Sequence, residues 1–224
     1  MPGLEARVTP VRICLLSCLA LTGVCGCARM PSAPSQNFPR HRLTVTMVLA
    51  APLSPAYHYF VAVDDTDPGH GPVPLVATPS TPIPPLGVPI IVSDTDLPPR
   101  YYCWLNASIF GQYRNSVFIG PPYRGQISAD GKTITTILNS DQITDKDRIQ
   151  LNLITADRLI PPDDPLTPIV YDGLGPTGNN YLSDLSLRVN AIYSNATAAI
   201  PEQGGDCPIA ALDIVDWTVE VSIE

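Results

Sequence analysis

The chain has 224 residues, a formal net charge of −8, 26 prolines and 15 glycines, and 45% of its residues are hydrophobic. That length fits one domain, and the apolar share is too high for a disordered chain. The acidic balance repels phosphate backbones, which argues against a nucleic-acid partner.

Residues 1–26 have the layout of a secretory signal peptide. Arg7 and Arg12 precede an apolar stretch from Ile13 to Val24, and Gly26 stands directly before Cys27. The stretch is about half the roughly 20 residues needed to cross a bilayer. Val24-Cys25-Gly26-Cys27 resembles the lipobox of bacterial lipoproteins. The resemblance implies cleavage before Cys27, lipidation of Cys27 and attachment to the outside of a bacterial membrane, inner or outer. Plain secretion is the alternative. Several acyl chains on one residue would hold the protein almost irreversibly, since each buried CH₂ contributes about 0.8 kcal/mol. Loss of residues 1–26 leaves 11 basic against 20 acidic residues.

Residues 27–41 form the lipidated cysteine and a Pro/Ser-containing tether, and residues 42–224 a single domain. Period-two alternation then recurs, which predicts strands with one buried face. Leu43, Val45, Met47 and Leu49 form the first set, and Tyr57, Tyr59, Val61 and Val63 the second. Residues 72–99 hold nine prolines, which predicts a long loop, with Val88–Val92 as a short edge strand. Tyr101, Cys103, Leu105, Ala107 and Ile109 predict one continuous strand with Cys103 facing inward. Asp130-Gly131 predicts a hairpin between Tyr123–Ser128 and Thr133–Leu138. Ser140–Ile143 suits one helical turn. Ile149, Leu151 and Leu153 predict a further strand, and residues 161–182 a second long loop. Leu185, Leu187, Val189 and Ala191 alternate next. Val215, Trp217, Val219, Val221 and Ile223 give the cleanest alternation. These elements predict an all-β protein, an antiparallel β-sandwich of immunoglobulin-like or jelly-roll-like type with long Pro-rich loops.

Four groups of side chains could carry function. Asp64, Asp65 and Asp67 on a turn suit Ca²⁺, although Val76 stands where a helix-loop-helix site needs its bidentate glutamate. A turn capped by its own aspartates is the plainer reading. Tyr102 and Trp104 lie on the face opposite Cys103, where exposed rings would stack on a sugar; a strand buried on both faces would hide them. Cys103 and Cys207 are an even pair in an oxidising compartment, which predicts a disulfide, with two buried free thiols as the alternative. Only three histidines occur, and no nucleophile elbow, zinc-binding helix motif or phosphate-cradling loop is present, so a non-catalytic protein is expected.

Tyr59–Asp64 with Asp65-Thr66-Asp67, then Ile127–Ile137, then Ile149–Asp157, resemble DOMON-type and related carbohydrate-binding sandwiches over about half the chain. The resemblance implies a sugar or haem ligand. Haem-binding members use Met and His, and Met47 and His58 are the strand-borne pair here. The expected function is binding at the cell envelope through a lipid anchor, of a glycan first or of another envelope protein in an assembly role.

Overall fold

A computed structural model describes residues 40–65, 71–74, 91–92, 100–159, 169–198 and 200–224. The chain is an all-β sandwich of two antiparallel sheets. The strands are β1 (His41–Leu49), β2 (His58–Asp64), β3 (Val73–Pro74), β4 (Ile91–Val92), β5 (Tyr101–Asn106), β6 (Ile109–Arg114) and β7 (Val117–Gly120). They continue with β8 (Arg124–Ile127), β9 (Thr133–Asn139), β10 (Arg148–Ala156), β11 (Tyr171–Gly173), β12 (Leu182–Ser186), β13 (Ala191–Ser194) and β14 (Ile214–Ile223). One helical turn, α1 (Ser140–Ile143), is capped by the Asn139 side chain, which accepts from the Asp141 amide. The first sheet runs β13-β14-β1-β9-β8 and the second β11-β10-β2-β5-β6-β7, with β12 also on β10. β3 and β4 pair separately.

Alternation decides which side chains meet between the sheets. Leu43, Val45, Met47 and Leu49 of β1 join Ile134 and Leu138 of β9 and Trp217, Val219 and Val221 of β14. Facing them are Tyr59, Val61 and Val63, Tyr101, Cys103 and Leu105, and Ile149, Leu151 and Leu153. A second, smaller cluster of Phe60, Ala62, Tyr102 and Ile154 lies on the outer face of the second sheet. Strands β2 and β10 are therefore buried on both faces.

The Asp130-Gly131 hairpin forms between β8 and β9, with Gly131 at φ +72° and its amide donating to Ser128 O. The predicted continuous strand from Tyr101 to Ile109 is instead two strands. The chain reverses at Ala107-Ser108, whose φ values are +48° and +85°. Neither residue is a Gly, Asn or Asp, so the turn has none of the usual signal. The reversal turns Ile109 to solvent at 74% exposure instead of into the core. Both residues carry a Cβ in left-handed backbone, so Ala107→Asn with Ser108→Gly should stabilise the fold by about 0.5–1 kcal/mol. Thermal denaturation would read this as a rise of roughly 1–4 °C, and an unchanged or lower midpoint would contradict it. The predicted edge strand survives as Ile91–Val92; the rest of that prediction falls outside the described residues. The alternation predicted over Leu185–Ala191 is split between β12 and β13, leaving Val189 exposed. Part of the predicted loop at 161–182 is strand β11, which pairs with β10.

Candidate functional site

The outer face of the second sheet concentrates aromatic rings because of its register. Ala62, Tyr102 and Tyr113 stand side by side on β2, β5 and β6, as do Phe60, Trp104 and Gly111. Ala62 and Gly111 are small, so neighbouring rings settle over them. Tyr102 stacks on Tyr113 at 4.8 Å between ring centroids, and Phe60 stacks on Trp104 at 5.9 Å. A Cβ at Gly111 would stand 3.1 Å from the Tyr113 ring and 3.2 Å from the Phe118 ring. Tyr113 meets Phe118 edge-on at 5.5 Å. Tyr102 and Trp104 do lie opposite Cys103, as alternation predicts. Tyr102 is only 1% exposed, however, and Trp104 half-buried, so the rings stack on one another and not toward solvent.

The cluster runs out at β7, the last strand of its sheet. Val117 and Phe118 are 64% and 58% exposed, and Ile119 and Tyr123 are also exposed. Buried Gln112 fixes the corner that follows. It accepts from Tyr101 Oη at 2.6 Å and donates from Nε2 to Pro121 O, which directs the chain across to β8 on the other sheet. Residues 100–129 contain Arg100, Arg114 and Arg124 and no acidic residue, in a chain of net charge −8. That run was visible in the sequence as a charge pattern. What it surrounds was not, because strand order determines which strand is left at the edge.

The aspartates expected to hold Ca²⁺ do not converge. Asp64 ends β2 fully buried beside Gln150 in the ladder. Asp65, next along an extended chain, projects the other way. Its Oδ2 accepts from Thr144 Oγ1 and its Oδ1 lies 3.2 Å from Arg100 Nε. Asp67 is outside the described residues, as is Cys27.

Carboxylates do converge elsewhere. Oxygens of Asp172, Asp206 and Asp213 lie within 4.8 Å of one another. Asp172 accepts from the amides of Gly173 at 2.8 Å and Ile214 at 2.7 Å, joining β11 to the start of β14. Asp213 accepts from the Gly205 amide, and Glu202 from the Gly175 amide at 2.7 Å. Asp172, Asp213 and Glu202 are buried, and Asp206 is exposed. Burial pushes the Asp172 pKa up to about 7, its bonds to the Ile214 and Gly173 amides working against the shift and Asp206 adding to it. Burial likewise raises Glu202 to about 8, and Asp213 is raised too. The oxygens of Asp172, Asp213 and Glu202 are engaged by backbone amides, so the cluster acts as a clamp of the 202–213 segment onto the sandwich. Sequence reading missed it because its members are brought together only by the fold.

The predicted Cys103–Cys207 disulfide is absent: both thiols are free and buried. Cys103 sits in mid-strand on β5, while Cys207 feels the charges of Asp172, Asp213 and Asp206. Burial pushes the thiols up to about 12 and about 11, which suppresses the thiolate. Alkylation of the denatured protein without reductant should modify both; a linked Cys103–Cys207 peptide would contradict this.

Met47 faces the core between the sheets, whereas His58 lies on the outer aromatic face, 5.6 Å from Trp104 between ring centroids. They are on opposite sides of the second sheet and cannot share one haem iron. Comparison with protein-family models, with curated proteins and with solved structures finds no match.

Proposed function

We propose that the protein is a lipid-anchored extracytoplasmic binding module of the bacterial cell envelope that contacts another protein in an assembly role. Cys27 supplies the anchor through its lipobox-like context, and residues 28–39, which precede β1, supply the tether. The observation that carries the choice of partner is the location of the apolar surface. A sugar platform needs exposed, coplanar rings, but Tyr102 is stacked beneath Tyr113 and the Trp104 ring is tilted 47° to it. Exposed apolar side chains gather instead on β6 and β7, at a sheet edge. Exposed edges and apolar patches mark protein contacts.

Two measurements test this reading. Metabolic labelling with palmitate should mark the wild-type chain and leave Cys27→Ser unmarked. The full-length protein in detergent should show no glycan-array signal. An unlabelled chain beginning at Met1 would remove the anchor. Glycan binding that Trp104→Ala abolishes would restore the sugar reading in place of the protein-contact reading.

A further inference from the structure

Resting on that protein-contact reading, we infer that the free edge of β7 takes an added strand: an extended apolar segment of another protein, flanked by acidic residues. Among the described residues no strand pairs with the second side of β7. An unpaired edge presents a row of N–H and C=O groups, and natural proteins usually blunt it with charge, proline or a short, twisted strand. Val117–Gly120 has no charge and no proline, and is blunted by its length of four residues and a bulge at Ile119 alone. The other sheet has two edges: β8 begins with Arg124, Gly125 and Gln126, whereas β13 is likewise without charge or proline and exposes Ile192, but the arginine before it, Arg188, is held by Asp147.

The edge is also held in place. Asn115-Ser116, at φ +49° and +62°, make the tight turn that joins β6 to β7. The Tyr113 ring packs edge-on against Phe118, over Gly111. A strand fixed in this way loses little freedom when a partner pairs with it.

Charge selects the occupant. Arg114 ends β6 beside Val117 in register, and Arg124 begins β8 just past the corner. Both are exposed, and neither has an ion-pair partner among the described residues, whereas Arg100 is held by Asp65. A second copy of the chain would bring two such arginine-flanked edges together and set two bodies with 20 acidic against 11 basic residues side by side. A segment with acidic flanks would place opposite charges there and draw the partner to the edge.

The test uses the full-length protein in detergent and two labelled nine-residue peptides. Both share a core of alternating valine and threonine; one has Asp and Glu at its ends and the other has lysines. Fluorescence anisotropy should show the acidic peptide binding at least roughly tenfold more tightly at low ionic strength, the gap closing as salt is added. The double variant Arg114→Glu, Arg124→Glu should reverse the preference. Ile119→Lys, at an exposed position, should abolish binding with the melting temperature preserved, and Gln126→Lys on β8 should leave it intact. Equal binding of the two peptides, or binding that persists in Ile119→Lys, would overturn the inference without touching the protein-contact reading. A dimer in light scattering that Ile119→Lys dissolves would overturn it by assigning the edge to a second copy. Loss of the protein-contact reading itself would appear separately, as the glycan signal described above.

Discussion

Raising the pH from 5 to 9 lowers the melting temperature of this protein. The ordinary values of Asp172 and Glu202 are 3.8 and 4.5, and the fold raises them to about 7 and about 8. Below pH of about 4 both states hold these protons, and the groups contribute nothing. Between that point and the folded values the native state keeps protons that the unfolded chain has lost, so stability falls as pH rises. Above about 8 the deficit is constant. Each group contributes at most about 1.4 kcal/mol per pH unit inside its window. A kcal/mol moves the midpoint of a domain of this size by about 2–4 °C. A drop of at least about 5 °C between pH 5 and 9 is therefore expected, with most of the loss reached by pH 8. Glu202→Gln keeps an acceptor for the Gly175 amide and removes one ionisation, so it should flatten the slope and melt above the wild type at pH 9. A midpoint that rises with pH, or equal slopes in the two proteins, would contradict the clamp.

The second large effect is at Trp217. It is 1% exposed, the largest fully buried side chain, and lies beside Met47 on the inner face of the first sheet. Trp217→Ala leaves a cavity that a β-sheet core closes poorly, at a cost of about 3–5 kcal/mol. The corresponding fall in midpoint is roughly 6–20 °C. The indole Nε1 has no hydrogen-bond partner among the described residues. Trp217→Phe removes that unpaired donor along with some volume, so it should cost less than half as much. Equal losses for the two variants, measured by urea denaturation, would show that the cavity is not the determining term.

Much of this fold was legible because alternation survives wherever one face is buried. Trp217, Val219 and Val221 read as one inner face, and the structure places them there. Asp130-Gly131 announced its turn by residue type. Ala107-Ser108 makes an equally tight turn from residues that seldom adopt positive φ, so the β5–β6 reversal was hidden. The side to which Tyr102 points followed from parity, but its burial did not, because burial depends on Tyr113 arriving from the next strand. The Asp172, Asp206 and Asp213 cluster is assembled across more than forty residues of chain by β11 and the segment that joins β13 to β14, and no local pattern records it. Cys103 and Cys207 were paired by counting alone. Counting does not register where the fold sets them, Cys103 in mid-strand on β5 and Cys207 in the segment that leads into β14.

The contact surface is tested most directly in living cells, with a photo-crosslinking amino acid placed at Phe118 or Ile119 on β7, or at exposed Glu220 on the outer face of the other sheet. A protein adduct is expected from the two β7 positions and none from position 220, the captured peptide being an extended apolar stretch with acidic flanks. Adducts of equal yield from all three positions, or none from β7 while the anchored protein is present at its normal level, would contradict it.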